Sequence, residues 1–249
     1  MFRMFRRTLA MVTTAALTYV VVPAPPGDRV VRVYGDLRTA EHVAVVVPGS
    51  DTTVASFDGG RAKAYSTPGG GAKAVLAEAR ALGPGARLAV VAWLGYDSPA
   101  TVSLEVVTGG AAGRGAVALR RYLAETLAGK RVSLLCHSYG SVVCAKAAPG
   151  SGVASMVAVG SPGLGVSAAA ELGDIPLWVG SGSRDWMRDV PKLRIGPLGF
   201  GPDPADPSFG ARLFATGDAG HSDYFAPGGV SLRNLTLIAL GRTGEVSRG

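Results

Sequence analysis

Short apolar segments rich in valine alternate along the chain with longer segments of helical periodicity. Continuous apolar runs of this length are typical of strands that are buried on both faces of a parallel sheet. The helical segments between them supply the crossover connections that parallel strands require. We predict strands at residues 30–34, 42–47, 87–93, 132–136, 153–159, 175–179 and 212–215, and helices at residues 70–82, 111–128, 139–148 and 230–240.

This alternation predicts an α/β fold with a mostly parallel sheet that is covered by helices on both faces. A length of 249 residues suits one or two domains, and no internal repeat or linker divides residues 28–249. We therefore expect one domain there. A segment dense in glycine and proline, residues 191–208, is predicted to be a long excursion between elements, of the kind that often contributes to function.

Residues 1–27 differ from the rest of the chain. Arginines at positions 3, 6 and 7 precede an uncharged, largely apolar run at 8–22, which a proline-rich segment ends. A basic region followed by a short apolar region is the layout of a secretory signal, and the start of the run loosely resembles a twin-arginine export signal. The run is shorter than the ~20 residues of a membrane span. We expect secretion or membrane anchoring, with a hydrophobic first element of a cytoplasmic fold as the alternative.

Charge and motif content exclude several classes of partner. The formal net charge of +7 includes the three N-terminal arginines, and the later basic residues are scattered. No nucleic-acid partner is expected, because the sequence has no basic stripe with interleaved aromatic residues. It also has no phosphate-binding loop, dinucleotide fingerprint or metal-ligand spacing, so we predict neither a cofactor nor a metal. Two cysteines, Cys136 and Cys144, exclude a disulfide-rich scaffold, and we expect buried thiols rather than a disulfide.

A serine follows the predicted strand at 132–136 in the sequence Cys-His-Ser-Tyr-Gly-Ser, directly before a predicted helix. A sharp turn between strand and helix lifts such a serine above the sheet and directs the helix N-terminus at developing negative charge. The usual pattern is G-x-S-x-G, in which Cys136 here replaces the first glycine. Ser138 is therefore the predicted nucleophile, with a serine in an ordinary turn as the alternative.

A serine nucleophile requires a base, and the base requires an acid that orients it. His42 begins a strand at the opposite edge of the sheet, and His137 is expected to point away from the site. His221 lies late in the chain, where the order serine, acid, histidine places the base. Asp185 follows a predicted strand and is the predicted acid, with Asp189 as its rival.

Two backbone N–H groups are needed to hold the oxyanion of acyl transfer. Tyr139, directly after the nucleophile, is one predicted donor. Ser50 or Asp51, in the loop after the strand at 42–47, is the other. Residues near the ends of later strands, or beside the predicted acid, are expected to line the substrate pocket: Tyr96, Asp97, Ser161 and Trp186. Packing in the core is the alternative for the aromatic residues.

Six short motifs occur in a distinctive order, at residues 42–49, 92–99, 136–141, 159–166, 209–212 and 220–225. Over residues 29–241 the chain resembles a family of serine alpha/beta-hydrolases that is catalogued as a domain of unknown function. The resemblance implies the alpha/beta-hydrolase fold for residues 28–249. It also implies a triad of Ser138, Asp185 and His221, and no particular substrate.

These features predict a serine hydrolase that acts on a small-molecule or lipid-like ester through an acyl-enzyme. An acyltransferase or a peptidase with the same triad is the first alternative, because one fold and one triad serve several chemistries. A non-catalytic, envelope-associated binding module that retains the fold is the second.

Overall fold

The structure is a computed structural model that describes residues 29–60, 62–101 and 103–249. Within these residues a central sheet has seven strands in the order β1-β3-β2-β4-β5-β6-β9. The strand bounds are β1 Val30–Tyr34, β2 His42–Val47, β3 Leu88–Leu94, β4 Arg131–His137, β5 Ser155–Val159, β6 Leu177–Gly180 and β9 Arg212–Leu213. Strands β7 Arg194–Ile195 and β8 Leu198–Gly199 form a separate hairpin.

The sheet is parallel except at one edge, where β1 pairs antiparallel with β3. Five α-helices accompany it in the described residues: α1 Pro68–Leu82, α2 Leu104–Thr108, α3 Gly110–Thr126, α4 Gly140–Ala147 and α5 Val230–Ala239. Helix α1 packs with α5, and α3 packs with α4. The predicted fold class, a mostly parallel sheet with helices, is confirmed.

The four central strands hold the core because their side chains are apolar on both faces. Every residue of β3 and of β5 is buried, as is every residue of β2 after His42. Valine dominates these strands, and its branched side chain packs well on a pleated surface. The buried sheet fixes the carboxyl ends of β2, β4, β5 and β6 along one edge, where active sites of such folds form.

Two small elements were not predicted. Helix α2 has five residues, which is too short to produce a helical period in the sequence. The β7–β8 hairpin has strands of two residues each and lies within the predicted excursion at 191–208. These two elements pack against each other, so they form a structure of their own beside the sheet.

The two cysteines are joined, so the expectation of buried thiols was wrong. Cys136 lies in β4 and Cys144 in α4, and their sulfur atoms form a disulfide with Cα atoms 6.5 Å apart. This separation is within the ~7 Å limit for a bridge. Because α4 begins directly after the turn that ends β4, it carries Cys144 back beside the strand. The disulfide ties together the strand and the helix on either side of Ser138.

We expect the disulfide to contribute about 2–4 kcal/mol to the free energy of unfolding, because it restricts the unfolded chain. Urea unfolding of Cys136→Ala, Cys144→Ala and the double variant measures this contribution. Each single variant already removes the bridge, so the double variant should lose little beyond either single one. Equal midpoints for the wild-type protein and all three variants would contradict the prediction.

The predicted signal or anchor at residues 1–27 lies outside the described residues. In the part of the chain that the structure describes, no helix combines the length and the apolar character needed to cross a membrane.

Candidate active site

Ser138 occupies a strained turn between β4 and α4. Strand β4 ends at His137 and helix α4 begins at Gly140. The φ angle of Ser138 is +52°, in the left-handed region that residues with side chains rarely adopt. Strain of this kind costs about 1–3 kcal/mol and is concentrated at functional sites. The turn is the strand-to-helix elbow that the sequence predicts.

Glycines allow the neighbouring β2 strand to approach this turn. A Cβ atom on Gly140 would lie 2.4 Å from the carbonyl oxygen of Pro48, and one on Gly49 would lie 2.6 Å from the Cβ of Ser138. Both distances are shorter than real Cβ contacts. Glycine at both positions therefore allows the loop after β2 to pack directly against the turn that holds Ser138.

The structure brings Ser138, His221 and Asp185 together. His221 Nε2 lies 3.1 Å from Ser138 Oγ, and His221 Nδ1 lies 2.9 Å from Asp185 Oδ1. Ser138 is 9% exposed and Asp185 is 2% exposed. The imidazole thus bridges a nearly buried hydroxyl and a buried carboxylate, which is the geometry of an activated serine.

Two features of the chain place Asp185. It lies shortly after β6 and caps a short 3₁₀ helix, Trp186–Asp189, by accepting a hydrogen bond from the backbone N–H of Met187 at 2.8 Å. Gly160, at the end of β5, has a φ of +57°, and a Cβ atom there would lie 2.9 Å from Asp185 Oδ2 and 3.0 Å from His221 Nδ1. The absence of a side chain at Gly160 leaves room for the Asp–His pair.

Tyr224 is a site residue that the sequence reasoning missed. Its hydroxyl donates to Asp185 Oδ2 at 2.5 Å and accepts the backbone N–H of Gly182 at 3.0 Å. Burial raises the pKa of Asp185, but hydrogen bonds from His221, Tyr224 and the Met187 backbone outweigh it, so the pKa lies below its ordinary value of 3.8. The carboxylate is therefore held in its charged form. The only sequence signal was the position of Tyr224 in the motif at 220–225.

We expect Tyr224→Phe to raise the pKa of Asp185, since it removes one donor to the carboxylate. A depressed pKa contributes stability that is complete above the unfolded-state value and is lost as pH falls through the folded-state value. In the variant this acid-side loss should be smaller and should be complete at a higher pH, because the folded-state pKa lies closer to the unfolded-state value. The variant should also lose about 1–3 kcal/mol of unfolding free energy at neutral pH. Urea midpoints measured from about pH 6 to pH 3 test this.

Tyr122→Phe is the matched control for this prediction. The Tyr122 hydroxyl is buried without a hydrogen-bond partner among the described residues. Its removal should therefore leave the loss of stability at acid pH (the acid limb) unchanged. An acid limb that is the same in Tyr224→Phe and in the wild-type protein would contradict the prediction.

The loop after β2 presents one of the two predicted oxyanion donors. The Asp51 N–H donates to the carbonyl of Pro99 at 3.0 Å. Because this N–H is already used inside the protein, the prediction of Asp51 as an oxyanion donor is corrected. The N–H groups of Ser50 and Tyr139 make no hydrogen bond within the described part of the chain. Both residues line the cavity beside Ser138, so they are the two donors that remain.

Residues after β3 hold this loop in place. Tyr96 donates its hydroxyl to the Pro48 carbonyl at 2.9 Å, and Ser98 donates to the Gly49 carbonyl at 2.8 Å. Tyr96 is 2% exposed. The prediction that Tyr96 lines the pocket was therefore wrong. Its ring stacks on that of Trp93, and its hydroxyl holds the loop after β2.

Two further pocket predictions are also corrected. Asp97 lies at the surface and forms an ion pair with Arg29 at 3.1 Å. Ser161 is buried, with its hydroxyl 2.7 Å from that of Ser141 and bonded to Gly163. Neither residue lines the cavity beside Ser138. Their positions after strands place both residues near the carboxyl edge of the sheet, but these positions do not specify which way each side chain points.

Trp186 does line the cavity, with its ring centroid 4.7 Å from that of His221. His137 also faces the site, although we expected it to point away. Its Nε2 lies 2.6 Å from the carbonyl oxygen of His221, and the two imidazole centroids are 4.7 Å apart. His137 therefore supports the backbone that carries the proposed base.

The cavity over Ser138 has a volume of about 410 Å³, within the range of small-molecule sites. Its wall includes residues from the loop after β2, helix α2, the short helix Trp186–Asp189 and the excursion. Most of the side chains beyond the polar centre are apolar: Val106, Val107, Pro162, Trp186, Met187, Val190, Pro191, Leu193 and Phe200. The described residues contain no cluster of side chains that could hold a metal ion.

The parallel sheet and the strained serine turn at its carboxyl edge define the class of this protein, an alpha/beta hydrolase. The chain belongs to the alpha/beta hydrolase family, whose sequence model matches residues 25–195. The matched region contains Ser138 and Asp185 and ends before His221. The resemblance found in the sequence motifs is confirmed.

Relatives of this chain include two uncharacterized proteins of Mycobacterium tuberculosis. Rv2079 is 31% identical over 244 residues, which cover 83% of this chain and 36% of that protein. Rv0963c is 35% identical over 149 residues, which cover 57% of this chain and 55% of that protein. The chain thus spans about a third to a half of the length of these curated relatives.

Solved structures share the fold. A dienelactone hydrolase from Anabaena variabilis superimposes with a TM-score of 0.56 at 16% identity, covering 93% of this chain and 99% of that one. An esterase/lipase from an uncultured bacterium superimposes with a TM-score of 0.54 at 10% identity, covering 94% and 88%. At these identities the likeness concerns the fold.

Proposed function

We propose that this protein is a serine hydrolase that cleaves a carboxylic ester through a covalent acyl-enzyme. The observation that carries the proposal is the continuous hydrogen-bonded path from Ser138 Oγ through His221 to Asp185, which opens on an apolar cavity. The alpha/beta hydrolase family of the chain and its esterase-like structural neighbour support the same reading.

Acylation begins at the serine hydroxyl. His221 Nε2 accepts the proton of Ser138 as Oγ bonds to the ester carbonyl carbon. The N–H groups of Tyr139 and Ser50 hold the negative charge that develops on the carbonyl oxygen. Asp185 keeps Nδ1 protonated and stabilises the imidazolium. The alcohol then leaves with the proton from His221, and the acyl group remains on Ser138.

Deacylation repeats these steps with water. His221 accepts a proton from water as its oxygen bonds to the acyl carbon, and the same N–H groups hold the second oxyanion. Collapse of this intermediate breaks the bond to Ser138 Oγ, which regains its proton from His221. The products are a carboxylic acid, an alcohol and the free enzyme.

Labelling with a fluorophosphonate probe tests the proposal, because such probes react with activated serines. Mass spectrometry should locate the adduct on Ser138. The adduct should vanish in His221→Ala and persist in Asp189→Asn, which alters an exposed acid in the same short helix as Trp186. A folded protein that forms no adduct, or forms one elsewhere, would support a binding module instead.

We also propose that the protein works outside the reducing cytoplasm. The buried Cys136–Cys144 disulfide supports this, because such bridges persist in oxidising compartments. The basic and apolar pattern of residues 1–27 supports it as well. Fractionation of native cells should place the protein in the envelope or the medium, and recovery from the cytoplasm with free thiols would contradict the proposal.

A further inference from the structure

The cavity beside Ser138 has no cationic side chain in its lining among the described residues. The charged side chains closest to it in sequence are engaged elsewhere. Lys192 lies between two lining residues, but its Nζ is 2.7 Å from Asp203 Oδ2 and its side chain is only 7% exposed. Arg194 donates to the carbonyl of Gly165 at 3.3 Å. A carboxylate or phosphate on a substrate would lose its water here without gaining a cationic partner from these described residues.

Asp51 is the single acidic side chain in that lining. Its carboxylate accepts hydrogen bonds from the backbone N–H and the hydroxyl of Thr101. The described lining thus carries one carboxylate and no lysine or arginine. A substrate carboxylate without a cationic partner is costly to desolvate, so this lining disfavours substrates with an acidic end.

Apolar side chains from two parts of the chain line the cavity. Val106 and Val107 line it from α2, while Val190, Leu193 and Phe200 line it from residues 190–200. The Phe200 ring contacts that of Tyr139 edge to face, with centroids 5.8 Å apart. Because α2 packs against β8, the two walls form one structure. A hydrocarbon chain in contact with these side chains would exchange water for apolar contact.

The apolar lining continues outward onto the surface. Of the nine large apolar side chains that are exposed among the described residues, six lie in α2 or between 186 and 198. They are Val107, Trp186, Val190, Leu193, Ile195 and Leu198. Single exposed apolar residues are normal, whereas a cluster at a cavity marks the approach of an apolar ligand.

We propose that the acyl part of the substrate is an uncharged aliphatic chain that lies between α2 and residues 190–200. This inference rests on the proposed hydrolase function and specifies its substrate class. Chain length raises kcat/KM in this site because each methylene buried between the walls adds apolar contact. A carboxylate at the end of the chain abolishes that gain.

Matched p-nitrophenyl esters test the inference on the full chain. The acetate, the hexanoate and the adipate monoester share one leaving group, and the last two differ only at the chain end. We expect kcat/KM for the hexanoate to exceed that for the acetate by about tenfold or more, as methylene burial in apolar pockets typically gives. The adipate monoester should be at least about tenfold poorer than the hexanoate, because its carboxylate is unpaired.

A pair of variants tests where the chain lies. Leu193 lines the cavity and is 62% exposed, whereas Val117 lies in α3, does not line the cavity and is 65% exposed. Lysine can be accommodated at either exposed position. Leu193→Lys should raise the ratio of kcat/KM for the adipate monoester to that for the hexanoate by about tenfold, as one charge-assisted contact provides. Val117→Lys should leave this ratio unchanged.

The outcomes separate the inference from the function on which it rests. If no ester is hydrolysed and Ser138 forms no fluorophosphonate adduct, the proposed function fails and the inference falls with it. If the acetate is hydrolysed and Ser138 is labelled, the function stands. A preference for the adipate monoester, no gain with chain length, or equal ratio changes in both variants would then overturn the inference alone.

Discussion

Replacement of Ser138 by alanine should lower kcat for ester hydrolysis by about 10⁵–10⁶-fold, since Ser138 carries the hydroxyl that lies 3.1 Å from His221 Nε2. The fold should survive, because alanine fills the same small space and the turn keeps its backbone conformation. The free energy of unfolding should change by less than about 1 kcal/mol. Steady-state kinetics and urea unfolding of the same preparation measure both quantities.

His221→Ala should lower kcat to a similar extent, because it removes the base that accepts the proton of Ser138. Residues that act as one unit are strongly non-additive, so the double variant should be no slower than either single variant. His42→Ala is the control, since His42 begins β2 at the opposite edge of the sheet and should leave kcat unchanged. Losses that multiply in the double variant would mean that Ser138 and His221 act separately.

The sheet was predictable because its strands are buried on both faces. A run such as that of β2 has no polar face, so it fits only a strand covered from both sides or a buried helix, and the glycines and prolines around it decide for the strand. Strand-helix alternation then sets the parallel order. The positions of Ser138 and Asp185 follow, since both come after strands whose carboxyl ends share one edge.

Side-chain direction within the loops was not predictable in the same way. Tyr96 and Ser161 both lie close after strands at the correct edge, yet their hydroxyls are used inside the protein. The hydroxyl of Tyr224 bonds to the carboxylate of Asp185, which lies 39 residues earlier in the chain. Contacts of this kind depend on how loops pack against one another, and no local period encodes them.

The disulfide was missed for a related reason. Strand and helix periods place Cys136 and Cys144 on neighbouring elements, but whether their sulfur atoms meet depends on how α4 turns back along β4. Gly140 allows that close return, because its missing side chain leaves space for the Pro48 carbonyl. The same turn that strains Ser138 therefore brings the cysteines together.

Asp185→Asn should lower kcat by about 10⁴-fold while leaving Ser138 and His221 in place, as loss of the orienting acid does in such triads. The carboxylate now accepts hydrogen bonds from His221, Tyr224 and the Met187 backbone. Asparagine offers one acceptor oxygen and an NH₂ group, so at least one of these donors would face another donor. The imidazole then loses its preferred tautomer, and the imidazolium loses its compensating charge.

Asp189→Asn is the matched control, because Asp189 is exposed and ends the same short helix that Asp185 caps. It should retain wild-type kcat. The rate of fluorophosphonate labelling should fall in Asp185→Asn in parallel with kcat, since both depend on proton transfer from Ser138 to His221. Full activity in Asp185→Asn, together with a large loss in Asp189→Asn, would reassign the acid. Slow labelling of a correctly folded Asp185→Asn variant would instead show that His221 is wrongly oriented. Orientation of His221 is the role that the buried hydrogen bonds of Asp185 imply.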